Sequence, residues 1–427
     1  MHWTDGRSYL GKSTGKGGLS LWTHNLKSIE YNPSYKASYY HGPAAKLGAG
    51  IEGYEAMAFA NSTGHTIVGG TCPTVGIAGG YSLGGGHSIL SSAYGMGSDN
   101  VLEWEVVTMD GSHLVATPNQ HSDLYWALSG GGGGTFAVVL SMTARLHPGG
   151  IVGGTILSFN DSVVGNNAYW EAVGAFHALL PAFLDAGNSF TYSIGNTALT
   201  AYGTMPGADM DQVNTLLKPF QDDLTNRGIA AQIIPNVEPN YYRHFYDYLG
   251  PAPLGSAEFE PFTNSRIFPR AMVVDPDRNA IVTEVLRNAS LVAAFSPFYC
   301  DSFNVSHQAH SDNAVLPAWR DGIFLCSPAG VWPRRKWSRA MSMPRTCCSP
   351  CWTQRHQAGE CTWTRRIISM ETRRRVFTGR IMTGCWQWRR HMIRSRYCMR
   401  ARRWAAMSGA RMRMEGYAGH RDTSDYL

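Results

Sequence analysis

The stretch "GGTCPTVGIAGGYSLGGGHS", residues 69–88, sets a single cysteine, Cys72, inside a run of glycines. Glycine is tolerated where backbone turns sharply or approaches another group closely, and it weakens helices and strands alike. Neither helix nor strand is expected to persist here. The composition points instead to a loop lying against something large and flat.

Around this loop, residues 40–147 alternate glycine-rich turns with short runs of β-formers. "VLEWEVVTMDGSHLVAT" (101–117) reads as a hairpin turning at Asp110-Gly111, and "GTFAVVLSMTARLHP" (134–148) as a further strand. Between them "NQHSDLYWALSGGGGG" (119–134) is a short helix stopped by glycines. From about residue 151 the texture changes. "NNAYWEAVGAFHALLPAFLDAG" (166–187) carries apolar residues at helical spacing, and "DMDQVNTLLKPFQDDLTNRG" (209–228) is an amphipathic helix ending at Gly228. Strand-like "FTYSIGNTALTAYG" (190–203) lies between them, which implies a second unit made of a sheet backed by helices.

With 427 residues and 44% hydrophobic content, the chain is long enough for two or three units. No apolar run is long enough for a membrane span, and the N-terminus shows no signal-peptide h-region. Four N-x-S/T sequons, at Asn61, Asn160, Asn288 and Asn304, point to a secreted product. Cys300 and Cys326 can pair in an oxidising compartment, a point their spacing leaves open.

The formal charge of +6 conceals a split. Residues 331–427 hold 22 of the 37 Lys and Arg but 5 of the 31 Asp and Glu, with 6 of 9 Cys, 7 of 13 Trp and 9 of 17 Met. The preceding 330 residues are net acidic. "CCSPC" (347–351) looks like half a zinc site but no second ligand pair follows, so no metal is expected.

Five ordered motifs carry a family resemblance: "GRSYLGKSTGKGGLSLWTHNLKSI" (6–29), the glycine loop itself, "SDNVLEWEVVTMDG" (98–111), "SDLYWALSGGGGGTFAVVLSMTARLHP" (122–148) and "NAVLPAW" (313–319). In order and spacing they resemble the FAD-linked oxidases of the vanillyl-alcohol-oxidase type, berberine-bridge-enzyme-like branch, over roughly residues 5–325. The resemblance implies an α+β chain. A PCMH-type FAD-binding domain, residues 1–147, precedes a substrate domain with an antiparallel sheet flanked by helices, residues 148–326. Relatives carry a further subdomain before the first motif, so the FAD-binding domain reads as incomplete.

It also answers what lies against the loop. In the family the cysteine of C-P-T-V-G bonds to the flavin ring and the flanking backbone lies along it, which assigns Cys72, Pro73, Thr74, Val75 and Gly76, then Gly79, Gly80, Gly84, Gly85 and His87, to FAD. A thiolate near an electron-poor ring is a good nucleophile, although a lone cysteine is also often just a small buried apolar residue. Val139, after the glycines at 130–134, is assigned to the cofactor in the same way. The family's pyrophosphate loop corresponds to Gly6, Arg7, Ser8, Gly11 and Ser13, with Arg7 where relatives have a second flavin-linking histidine. Arginine cannot make that bond but can pair with phosphate, so FAD is expected to be linked through Cys72 only. His87 either touches the flavin or is a plain turn residue. No catalytic base is named by the sequence: Tyr241, Tyr242 and His244 in "NYYRHFYDY" are an aromatic-basic cluster that reads more simply as a packed helix or loop.

The tail, residues 327–427, shows neither helical nor strand periodicity and reads as irregular. Thr353, Thr364 and Thr383 each follow Trp or Met, whose single codons end in G, so a shift of one nucleotide turns each into Asp. The shifted strings resemble the family's C-terminal Y-x-N/D-E and F-Y-G-x-N-Y motifs, and the tail is read as frameshifted. The expected function is hydride removal from an alcohol, carbohydrate or secondary-metabolite substrate to flavin N5, with O2 as acceptor. Alternatives are an inactive product of a frameshifted gene and nucleic-acid binding through the Arg/Trp-rich tail.

Overall fold

The computed structural model describes residues 2–3, 17–250, 265–291, 297–306 and 312–328. The pyrophosphate-loop residues Gly6, Arg7, Ser8, Gly11 and Ser13, and the tail from residue 329 on, lie outside the described residues.

Two antiparallel sheets organise the chain. The first has strands β1 (Ile29–Ala37), β2 (Tyr40–Gly48), β3 (Val101–Thr108), β4 (His113–Ala116) and β5 (Ala137–Arg145), in the order β1-β2-β5-β3-β4. Along β3, Leu102, Trp104, Val106 and Thr108 are buried while Glu103, Glu105 and Val107 are only partly so, the period-2 alternation of a sheet with one face on a core. The β3–β4 hairpin closes as the sequence implies. Asp110 accepts from the Thr108 hydroxyl (2.6 Å) and the Ser112 amide (3.0 Å), and Gly111 takes φ +85°. Helices α1 (Gly53–Ser62) and α2 (Ser122–Leu128) pack into the same core, where the Trp104 indole N–H donates to Ser129 Oγ at 2.9 Å.

The second sheet has seven strands, β6 (Val152–Asn160), β7 (Ser189–Ile194), β8 (Ala198–Pro206), β9 (Ala231–Glu238), β10 (Arg266–Pro269), β11 (Phe298–Ser302) and β12 (Gly322–Pro328), ordered β9-β6-β8-β7-β11-β12-β10. Three helices cover one face of it: α3 (Gly165–Asp185), α4 (Met210–Asn226) and, after α5 (Tyr241–Leu249), α6 (Pro276–Ser290). α4 buries Val213, Leu217, Phe220 and Leu224, a stripe at spacings of four and three, and starts on a capping box in which Asp209 accepts from the Gln212 amide. Gly228, at φ +70°, follows its end. α3 contributes Tyr169, Val173, Phe176 and Leu180 to the same core.

Cys300 and Cys326 face each other on β11 and β12 and form a disulfide, with Cα atoms 4.1 Å apart and both side chains in the second core. Spacing left that pairing open; the antiparallel register supplies it.

Two connections hold the sheets together. Val152, Tyr241 and Phe245 belong to the first core although they follow β5, so α5 is a helix packed between the units. The 313–320 segment crosses back. Arg320 makes a bidentate pair with the buried Asp99 (2.7 Å twice), Asn313 donates to the same carboxylate (2.7 Å), and the Ala314 amide reaches the Ser129 carbonyl (2.9 Å). Burial pushes the Asp99 carboxyl up, but the guanidinium and the Met96 amide outweigh it and hold the group below the usual carboxylate range.

Candidate active site

The glycine loop is not wholly irregular, contrary to the expectation from composition. Ile77–Tyr81 winds into a single wide helical turn, with Gly79 off helical geometry inside it. Two contacts stabilise it: Ile77 and Ala78 are buried in the first core, and Ser82 Oγ donates to the Ile77 carbonyl at 2.7 Å. Upstream, the loop is stapled to the start of α1, where the Tyr54 amide donates to the Pro73 carbonyl and the Gly53 amide to that of Val75, both at 2.9 Å.

The glycines divide into two kinds. Gly84, Gly85 and Gly86 are required by the fold. A Cβ at Gly84 would meet the Gly80 carbonyl oxygen at 2.9 Å, one at Gly86 would meet the Tyr81 ring at 2.8 Å, and Gly85 sits at φ +110°. Gly80, Gly132 and Gly134 have open space where a side chain would stand, with Gly133 packed on Gly80. Among the loop hydrogen bonds of the described residues, the amides of Gly69, Gly70, Thr71 and Cys72 have no acceptor. Cys72 is a half-buried free thiol. Open glycines, unpaired N–H groups and an accessible thiol together fit a flat ligand with anionic or carbonyl oxygens, which is the chemistry of FAD. Thr74 and Val75 are half-buried beside Cys72, and Pro73 and Gly76 are buried. Val139 is fully buried in β5, its side chain part of the first core.

The face of the second sheet opposite α3, α4 and α6, which α5 meets at its Gly154–Thr204 end, reaches the same region through Asp301. By register, Thr191 pairs with Tyr202 and with Asp301, and Tyr202 with Ile156, so these side chains share one face while Tyr192, Ala201, Leu157 and Cys300 share the other. That face carries Ser158, Thr191, Thr200, Tyr202, Asn236 and Asp301, none of them buried, beside Ile156, Ile234 and Tyr299 and the buried Thr204. His87, at the end of the glycine loop, joins the two surfaces. Its Nδ1 lies 3.7 Å from Asp301 Oδ2, and its ring stacks on Trp319 with centroids 5.6 Å apart.

His244 from the "NYYRHFYDY" cluster points elsewhere. It is buried, hydrogen-bonded to Thr204 Oγ1 through Nε2 (2.9 Å), and stacked on Tyr248. Burial pulls its pKa down to about 4 and pushes that of Tyr248 up to about 12, so both stay neutral near pH 7. The structure thus ties Gly70, Gly86 and His87 together through Tyr81 and sets Gly133 against Gly80, with Cys72 half-buried in the same loop. It adds Asp301, which sequence reading did not single out; its one signal was strand alternation in "FYCDS". Among the described residues no cluster of three His, Cys, Asp or Glu could hold a metal, and no helix is long and apolar enough to cross a membrane.

Residues 3–117 match the family model described as an FAD binding domain. The VAO-type flavoprotein oxidase VAO615 of Thermothelomyces thermophilus is 71% identical over 327 residues, which is 77% of this chain and 57% of that protein. The FAD-linked oxidoreductase sthB of Phaeosphaeria nodorum is 51% identical over 252 residues, covering 58% of this chain and 80% of that protein. The crystal structure of the VAO-type flavoprotein MtVAO615 from Myceliophthora thermophila C1 superposes with a TM-score of 0.76 at 70% identity, over 78% of this chain and 61% of that one. The chain therefore spans little more than half the length of the first of these relatives.

Proposed function

The chain belongs to the vanillyl-alcohol-oxidase type of FAD-linked oxidoreductases, and from that premise we propose that it oxidises a small alcohol-bearing molecule, a carbohydrate or secondary metabolite, held between the glycine loop and the uncovered face of the second sheet. The observation that carries this reading is the open space at Gly80, Gly132 and Gly134 together with a half-buried polar stretch of the second sheet that α3, α4 and α6 leave uncovered and that α5 meets only at its Gly154–Thr204 end.

In this proposal residues 1–147 form the FAD-binding unit and residues 148–326 the substrate unit. Cys72 holds the flavin covalently through its thiol, and Arg7 pairs with the pyrophosphate in place of a second link. The backbone of Gly69–Cys72 donates to the cofactor, Gly80 lets it approach, and Gly76, Gly79, Gly84 and Gly85 shape the loop. FAD, when bound, would supply the two-electron acceptor for hydride from the alcohol carbon, with O2 as the proposed final acceptor. The sheet face contributes orientation, through hydroxyl and amide side chains that can bond a polar substrate. A substrate bearing several hydroxyls suits a face made of Ser158, Thr191, Thr200 and Tyr202.

Secretion belongs to the same reading. The buried Cys300–Cys326 disulfide suits an oxidising compartment, and Asn160 is an exposed sequon at the end of β6. Asn304, by contrast, is buried with its amide donating to Asp185, so the fold leaves it unavailable to a glycan.

The test is anaerobic mixing of the purified full chain with benzyl alcohol, D-glucose and cellobiose in turn. Bleaching of the yellow flavin band by at least one of them, and its return with peroxide when air is admitted, is the expected result. A flavin-loaded protein that no alcohol of the set reduces would contradict the assigned substrate class.

A further inference from the structure

We propose that His87 and Asp301 form the proton-accepting pair of this site, with His87 taking the hydroxyl proton of the alcohol. The inference rests on the flavin reading above and deepens it by naming the base.

His87 is held from several sides. Its carbonyl accepts from the Tyr81 hydroxyl at 3.0 Å, which fixes the backbone after Gly86. Its ring lies nearly parallel to that of Trp319, and Trp319 packs on Phe303 with centroids 4.8 Å apart. The next residue, Arg320, is locked to Asp99, so the stacking partner is itself anchored. Asp301 is oriented in turn: its Oδ1 accepts from Thr191 Oγ1 on the neighbouring strand at 2.8 Å, leaving Oδ2 toward the imidazole. A base whose second nitrogen faces a carboxylate that is itself oriented by a third group is the recurrent arrangement for proton abstraction. The 3.7 Å separation is longer than a hydrogen bond and becomes an ion pair when the imidazole takes up a proton; such contacts are often long before substrate is in place.

The pair also has access. The His87 side chain is 36% exposed and that of Asp301 29%, and His87 Nε2 has no hydrogen-bond partner among the described residues. Asp301 is the one charged group within ion-pair reach of His87 among the described residues, and the nearby Arg320 has its charge matched by Asp99. Two further histidines fail on geometry. His177 and His244 are both fully buried, and the Nε2 of His244 is already bonded to Thr204.

The step balances as follows. The substrate hydroxyl proton goes to His87 Nε2, giving an imidazolium paired with Asp301. The C–H electron pair leaves as hydride to oxidised FAD, a carbonyl forms at that carbon, and the imidazolium returns its proton to water. Removing a general base slows such a step by about 100-fold or more.

The experiment uses the full chain purified with its flavin. The His87 imidazole is followed by NMR with labelled histidine, assigned by its loss in His87→Gln, and the flavin absorption is titrated over the same pH range. The expected result has three parts. The flavin spectrum responds to protonation of the His87 imidazole, the response vanishes in His87→Gln, and Asp301→Asn alters both the imidazole signal and the spectral response. Reduction by whichever of benzyl alcohol, D-glucose and cellobiose bleaches the wild type should fall at least 100-fold in His87→Gln, with flavin retained. A yellow wild type whose spectrum ignores His87, or an Asp301→Asn variant with an unaltered imidazole signal, overturns the pair while leaving the flavin reading intact. A colourless wild type overturns the flavin reading itself. The spectral titration decides the matter even if none of the three alcohols is turned over.

Discussion

The two faces of the second sheet are made by the same strands and differ by one residue of register. One face, with Leu157, Phe190, Tyr192, Leu199 and Ala201, is sealed by α3, α4 and α6. The other carries half-buried Ser158, Thr191, Thr200 and Tyr202, meets α5 through Tyr202 and Thr204, and touches the end of the glycine loop through Asp301 and His87. That second face mixes these polar residues with Ile156, Ile234 and Tyr299, and α5 reaches it at the Thr204 end. Away from the α5 contact at Thr204, substitutions on the two faces should therefore act differently, on stability on the sealed side and on chemistry on the other.

The largest effect is expected on the sealed face. Phe176→Ala removes a fully buried ring packed on Phe190, Tyr192 and Phe220 and should cost about 3–5 kcal/mol, read as a lower denaturant midpoint. Second comes pH. His244 is buried with a pKa near 4, and His177, fully buried with both ring nitrogens unpaired among the described residues, lies near 3. An unfolded histidine titrates near 6.5, so below that pH the unfolded chain binds protons that the folded chain refuses. Stability should therefore fall as pH drops from about 6.5 to 4, by on the order of 3 kcal/mol for His244 alone, and level off below the folded pKa. Urea midpoints across that range check this, and His177→Phe should flatten the slope. The smallest stability effect belongs to the open face. Thr191→Ala loses a half-exposed hydroxyl and should change stability by about 1 kcal/mol or less. It nevertheless removes the hydroxyl that orients the Asp301 carboxylate, so substrate reduction of the flavin should slow. A large stability loss from Thr191→Ala, or none from Phe176→Ala, would break the distinction between the faces.

Much of this was legible in the sequence where a local signal existed. Asp110-Gly111 announced its hairpin, and the four-three stripe of α4 with Asp209 and Gly228 announced that helix. β1 was not legible because Pro33 interrupts it. The strand tolerates the proline at a bulge between Asn32 and Tyr35, on the edge of the sheet where no partner needs its missing N–H. α1 was missed because it begins on Gly53 and carries only a weak apolar stripe. Within the site, Cys72 and His87 stood out against glycine, but sequence gave no means of telling Gly80, which borders open space, from Gly86, which makes room for Tyr81. Asp301 was invisible for a different reason. Its place beside His87 depends on strand register and on the return of the 313–320 segment, neither of which leaves a mark near residue 301.

The central claim is that the loop around Cys72 holds FAD. The most direct measurement is flavin fluorescence of the full chain after denaturation and gel separation, for the wild type and for Cys72→Ala. Fluorescence that travels with the wild-type chain and is lost in the variant is the predicted result. A wild-type chain that is purified without flavin, or a Cys72→Ala chain that keeps flavin bonded through denaturation, would contradict it.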